Sequence, residues 1–198
     1  LTKFFWRQPG WYRRCLYGSP LALASVASDT SGFEELLKNG YRPDILTWIN
    51  ITRNESFPHL ELLTKYQQRL DAFLLSPPDF GTPLFIAVDH RNKELVEYIL
   101  SSGADINEYG RYRSPLQLSV ELDNLELTSY LLHKGADINT PPATTGGATA
   151  IQLAAIKGYL GVAHELLDRG ARINVRGAKT HGRTALEGAA EYGRLDML

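Results

Sequence analysis

Paired apolar residues recur along the chain at a fixed distance from other landmarks. Leu36-Leu37, Ile99-Leu100, Leu131-Leu132 and Leu166-Leu167 each stand twelve positions after a small residue, respectively Ala24, Ala87, Ser119 and Ala154. Four positions beyond the first member of each pair comes a glycine: Gly40, Gly103, Gly135 or Gly170. Five positions before each small residue stands Ser19, Thr82, Ser114 or Thr149, and Thr184 precedes Ala189 in the same way. The steps from Thr82 to Ser114, Thr149 and Thr184 are 32, 35 and 35 residues, and Ser19 precedes Thr82 by 63, close to two steps. A shared register of this kind marks an internal repeat, and each position in it has a physical task.

The hydroxyl residue offers an oxygen to the unpaired amides of a helix start. Pro20, Pro83 and Pro115 follow it, where a preset φ helps and a missing N–H costs nothing. The small residue lets a second helix approach the first. The apolar pair, preceded in one copy by Leu95-Val96, forms the buried stripe of that second helix. Glycine ends it in a left-handed turn. The word "GADIN" at 103–107 and again at 135–139, with "GARIN" at 170–174, is therefore the exit from each second helix, its Asp and Asn suited to bonding turn amides.

The unit "GTPLFIAVDHRNKELVEYILSSGADIN" resembles the ankyrin repeat, and "ATAIQLAAIKGYLGVAHELLDRGARIN" matches it more closely still. The idiom is similar to arrays found in large fungal multidomain proteins. The resemblance covers 81–198 and, less specifically, 18–44. It implies an all-α fold: an ankyrin-repeat solenoid of stacked helix-turn-helix units with projecting β-hairpin-like loops.

The expected organisation is an N-terminal aromatic and basic capping segment at 1–17 and a repeat at 18–44. Repeats follow at 81–113, 114–147 and 148–182, with a truncated one at 183–198. Segment 45–80 lacks the motif and is read as a degenerate repeat or a helical insertion. Within it, "LELLTKYQQRLDAFLLS" predicts one amphipathic helix carrying Leu63, Tyr66, Leu70, Phe73 and Leu74 on a face, ending before Pro77-Pro78. Arg91 and Asp123 replace the glycine between the two helices, so those turns are expected to be less regular than the one at Gly158. The first residue, Leu1, and the apolar helical pattern reaching Leu198 lead us to expect a segment of a longer protein.

Composition narrows the function. Net charge is −1, which gives no general attraction to nucleic acid or anionic membrane. No apolar run approaches a membrane span, and no signal-peptide pattern opens the chain. The single cysteine, Cys15, fits a reducing, intracellular setting, cytoplasmic or nuclear. The sequons at Asn50 and Asn54 are then read as accidental. No phosphate-binding loop, metalloprotease motif or nucleophile elbow is present, and His59, His90, His133, His164 and His181 share no helical face. The histidines are read as surface or loop residues. The expectation is a protein without enzymatic activity, cofactor or metal.

Specificity in a repeat array must come from the positions that vary. The resemblance implies that loop tips and first helices line the concave, partner-facing side. The candidate loop residues are Tyr109, Arg111, Tyr112 and Arg113, then Arg176, Lys179, His181 and Arg183; five of these are Arg or Lys, set against Glu108 alone. Tyr and Arg are the side chains that most often anchor interfaces. First-helix candidates are Asp89, His90, Glu121, Lys157 and Tyr192, with Leu122, Ile156 and Glu191 beside them. The expected function is a monomeric protein–protein interaction module whose partner presents an acidic surface, with no nucleic acid and no membrane involved. The alternative is a sensor or regulatory region of a larger multidomain signalling protein or enzyme.

Overall fold

The computed structural model describes residues 3–4, 16–17, 19–27, 29–54, 56–66, 82–110 and 112–197. These fall in two compact units, 1–77 and 78–198.

The first unit opens with two short strands, β1 (Lys3–Phe4) and β2 (Leu16–Tyr17), paired antiparallel inside the segment expected to act as a cap. Among the described residues four helices follow: α1 (Pro20–Val26), α2 (Thr30–Lys38), α3 (Ile45–Arg53) and α4 (Phe57–Lys65). Helix α1 packs on α2 and on α3, and α2 packs on α4. The motif-free segment after Gly40 thus contributes a second helix pair, α3 with α4, laid against the first pair helix for helix. Its core is Leu46, Trp48, Ile51, Leu60 and Leu63, all buried, as are Leu21, Phe33 and Leu37 of the first pair.

The expected amphipathic helix begins earlier than its sequence pattern, at Phe57, and its described part ends at Lys65. Leu63 is buried and Tyr66 half-buried in the following turn, where its hydroxyl donates to Glu34 at 2.8 Å. Leu70, Phe73, Leu74 and the stop at Pro77-Pro78 lie outside the described residues.

Segment 45–53 starts a helix without the Thr-Pro signature because Asp44 supplies the cap. Its Oδ1 accepts from the Thr47 amide at 2.8 Å, and its Oδ2 accepts from the Ser19 amide at 2.9 Å, tying the two first helices' starts together. Asn50, from the middle of α3, donates to the Ala22 carbonyl at 3.1 Å. The first sequon therefore has its asparagine bonded to the neighbouring helix, while Asn54 is exposed.

The second unit holds α5 (Pro83–Asp89), α6 (Lys93–Ser101), α7 (Pro115–Glu121), α8 (Leu125–His133), α9 (Ala150–Lys157), α10 (Leu160–Asp168) and α11 (Ala185–Glu191), then a 3-10 turn at Leu195–Met197. First helices pack in the row α5, α7, α9, α11, and each of α6, α8 and α10 packs on its own first helix. Every first helix outside segment 45–80 is capped as its sequence predicts: the hydroxyls of Ser19, Thr82, Ser114, Thr149 and Thr184 accept from the third helical amide at 3.2–3.4 Å. The small residue of each copy is buried. In the last repeat, Gly188 adds to this: a Cβ there would stand 2.4 Å from Ile156 Cγ1, so its absence lets α11 close on α9.

The exits from the second helices are left-handed, with φ of 81°, 92°, 94° and 90° at Gly40, Gly103, Gly135 and Gly170. Each glycine N–H bonds the carbonyl three residues back, and the next N–H bonds five back, closing both orphan carbonyls. The inter-helix turns at Arg91 and Asp123 correct the expectation of irregularity. Both residues take the left-handed conformation, at φ 56° and 53°, and their turns close through the same bond from the following amide to the small residue's carbonyl that Tyr159 makes after Gly158. The substitution is felt as backbone strain, on the order of 1 kcal/mol, and leaves the shape intact.

His59 is a second correction. It is fully buried, its ring set edge-on to Phe33 with centroids 4.7 Å apart and its Nδ1 2.5 Å from Ser56 Oγ. Its Nε2 is buried without a hydrogen bond of normal geometry. Burial holds the imidazole below the usual histidine range, with the nearby Asp29 pulling partly the other way. The other four histidines are exposed.

Candidate partner-binding surface

The surface is built by the fingers, the loops that connect one pair to the next, and by the far ends of the first helices. Asp89, Glu121, Ile156 and Glu191 occupy one repeat position, and His90, Leu122, Lys157 and Tyr192 the next. Because α5, α7, α9 and α11 pack side by side, these eight residues form two rows along unit 2. Asp89, His90, Lys157, Glu191 and Tyr192 are exposed, Tyr192 at 58%. Glu121, Leu122 and Ile156 are half-buried, Ile156 because it lies over Gly188.

The fingers are held by three sets of bonds. Within each "GADIN", Asp105 and Asp137 accept from the Asn107 and Asn139 amides at 2.9 Å. Between fingers, Asn107 accepts from the Asp137 amide, and Asn139 from the Arg172 amide, each at 2.8 Å. Between finger and helix, Gln117 and Gln152 act twice. Their Oε1 atoms accept from the cap residue's amide, while their Nε2 groups donate to two carbonyls of the following finger: Thr140 and Pro141 for Gln117, Val175 and Arg176 for Gln152, at 2.8–3.3 Å. The sequence reading missed these glutamines. Their signal was a Gln three residues after Ser114 and Thr149, the capping-box spacing. At the same position Phe85 puts its ring beneath Gly110, where a Cβ would come within 2.2 Å, and Glu187 only accepts, from the Thr184 amide at 2.9 Å.

Not all candidate residues are free to meet a partner. Arg113 pairs with Glu121 at 2.9 Å, and Arg183 with Glu191 at 2.5 Å, so each finger base is pinned to the end of its own first helix. The Tyr109 hydroxyl donates to the Pro141 carbonyl, joining one finger to the next, and burial raises its pKa. Arg111 lies outside the described residues. Tyr112, Arg176, Lys179 and His181 are exposed, Tyr112 at 56%. The basic ridge read from sequence is therefore partly neutralised within the fold.

The opposite side, built by second helices, is laced by surface ion pairs. Lys93 meets Glu126 at 2.8 Å, and Arg169 meets Glu165 at 2.7 Å, which lowers the Glu165 pKa together with Ser129. Lys65 and Glu34 are 2.7 Å apart in unit 1; that bond and the Tyr66 hydroxyl hold Glu34 at about 2. Such exposed pairs contribute little to stability. Among the described residues, no group of three or more His, Cys, Asp or Glu side chains is placed to hold a metal, and no helix is long and apolar enough to cross a membrane.

Helix pairs of this length, capped by Ser or Thr and ended by a left-handed glycine, stacked first helix on first helix, define a helical repeat protein. A family model described as ankyrin repeats in three copies matches residues 21–142, and an ankyrin-repeat model matches 146–178. The chain belongs to the ankyrin-repeat family. No curated protein matches it. Members of this family are generally protein–protein interaction modules and typically non-catalytic.

Proposed function

We propose that this chain is a non-enzymatic recognition module that holds a protein partner against the fingers and first-helix ends of unit 2. The observation that carries the reading is a varied set of exposed side chains on a firmly bonded scaffold. Tyr112, Asp89, His90, Lys157, Arg176, Lys179, His181 and Tyr192 stand exposed where the backbone is bonded finger to finger. Mixed charge with exposed tyrosine suits a protein surface better than a phosphate backbone. An acidic partner is favoured at the Arg176–Lys179 finger. An intracellular setting, cytoplasmic or nuclear, is part of the same reading.

The test uses substitutions at exposed side chains. Tyr112→Ala with Tyr192→Ala should weaken capture of a partner at least tenfold, with the helical circular dichroism retained. Undiminished capture would move the binding surface elsewhere. Arg113→Ala and Arg183→Ala are poor probes, because each also breaks an ion pair to its own first helix.

A further inference from the structure

Three local rules of the repeat are broken along one edge of unit 2, where first helices turn into second helices. Leu125 and Leu160, the opening residues of α8 and α10, are 45% and 38% exposed, at the position held by Thr30 in α2 and Lys93 in α6. Leu122 and Ile156, half-buried at the ends of α7 and α9, adjoin them. Tyr159 stands where Asp29, Asn92 and Asn124 cap the other second helices at 2.9–3.0 Å, and it makes no side-chain cap bond. Arg91 and Asp123 hold the left-handed turn that Gly158 holds in the next repeat. Each choice gives up stability, and costs of that kind gather where a side chain has another task. The edge is not an end of the stack: α7 lies between α5 and α9, α9 lies between α7 and α11, and the row of turns runs on past Leu160 to Leu195.

The edge offers side chains only. Its turn amides are already bonded, Asp123 and Asn124 to the Val120 and Ser119 carbonyls, Gly158 and Tyr159 to that of Ala154, at 2.9–3.0 Å. An occupant must therefore satisfy its own backbone, as a helix does. Packed helices stand about 8–10 Å apart, and seven residues of helix rise about 10 Å. A helix lying along the edge thus brings one heptad over each turn. Charge sets what that helix carries. Arg91, Asp123 and Lys157, one from each repeat, are exposed and in no ion pair among the described residues. Their order along the edge is positive, negative, positive.

We propose that this edge docks an amphipathic helix of a protein partner, its apolar face on Leu122, Leu125, Ile156 and Leu160 and its charges in the complementary order, acidic, basic, acidic, at heptad spacing. This deepens the partner-binding reading above and rests on it. The apolar contact supplies affinity, and the charge order supplies register and choice of partner.

The experiment is a leucine-methyl NMR titration of the 198-residue chain with three blocked helical peptides of about three heptads. One carries Glu, Lys and Glu at heptad spacing with leucines three and four residues after each. The second exchanges the charges to Lys, Glu and Lys, and the third replaces the leucines by serine. The expected result is a saturating shift of the Leu125 and Leu160 methyls with the first peptide, at least tenfold weaker binding of the second, and none of the third. Arg91→Gly should weaken binding of the first peptide at least threefold while melting no lower than the parent, an effect that loss of folding cannot produce. Arg91→Glu with Asp123→Lys and Lys157→Glu should reverse the preference between the charged peptides with helicity retained. The idea is overturned by unmoved Leu125 and Leu160 methyls, by equal binding of the two charged peptides, or by an unchanged preference in the charge-reversed chain. It is also overturned if mass rises with concentration and those methyls shift before any peptide is added, since a second copy then covers the edge. A chain that ignores all three peptides yet captures a partner in a Tyr112- and Tyr192-dependent way would end this proposal alone.

Discussion

The helix pair α3–α4 and the pair α9–α10 reach the same arrangement with different residues. The latter has nearly every letter of the repeat: Thr149 at the cap, Ala154 at the close approach, Gly158 between helices, Gly170 at the exit. The former has Asp44 at the cap and Asn50 reaching back to α1, and neither belongs to the motif. In each case the helix start finds an oxygen, the contact face is buried, and a polar side chain ties one repeat to its neighbour. The motif is one solution to those three requirements, and residues outside it meet them equally well.

That equivalence breaks first in the core. Trp48→Ala should cost about 3–5 kcal/mol, because it empties a nearly fully buried site in the motif-free pair. Native-state hydrogen exchange read residue by residue should show α1–α4 opening more easily. Full retention of protection there would mean that α3 is not part of a core.

Next come the glutamines. Gln152→Ala removes a cap acceptor and leaves the Val175 and Arg176 carbonyls without their donor, at about 1–3 kcal/mol. A urea midpoint that falls for Gln152→Ala yet holds for Glu187→Ala would separate the finger bonds from the cap. Equal losses would show that only the cap matters.

Acid should affect the first unit more than the second. His59 is held neutral in the fold with its pKa below the unfolded value, so the unfolded chain binds the extra proton. Its contribution is complete above the unfolded histidine value of roughly 6.5 and is lost as pH falls from there through the lower folded value. Between pH 7.5 and 5.5 the α1–α4 amides should lose protection while those of α7–α10 change less, and His59→Gln should flatten the difference. A pH-independent first unit in the parent chain would contradict this.

The smallest effect lies in the turns. Arg91→Gly relieves a left-handed arginine and should stabilise by about 0.5 kcal/mol, the relief being reduced by the entropy glycine adds to the unfolded chain. Gly158→Ala should move the melting midpoint the other way, the more so because its Cβ would press on Arg194 at 2.8 Å.

The repeat register was legible because Thr149, Ala154, Leu166 and Gly170 each answer a local demand of one helix or one turn. The exits were legible too, down to the Asp and Asn of "GADIN", although the bond from Asn107 to the Asp137 amide joins residues 30 apart and needed the fold to be seen. The pair at 45–65 was hidden because Asp44 is a common turn residue until its carboxylate is found between two helix starts. The candidate surface was half legible. Exposure of Tyr112, Lys179 and Tyr192 follows from their repeat positions, but the pairing of Arg113 with Glu121 and Arg183 with Glu191 depends on finger bases returning over helix ends. Counting charge along the chain therefore overstated the basic ridge.

The central claim is that the partner sits on fingers and first-helix ends and not on the second helices. Site-specific photo-crosslinking tests it most directly, with benzoylphenylalanine placed singly at Lys157 and Tyr192 on one side and at Glu97 and His133 on the other. The account predicts a shared protein adduct from Lys157 and Tyr192 and none from Glu97 or His133. Adducts confined to Glu97 and His133 would place the partner on the second helices and contradict it.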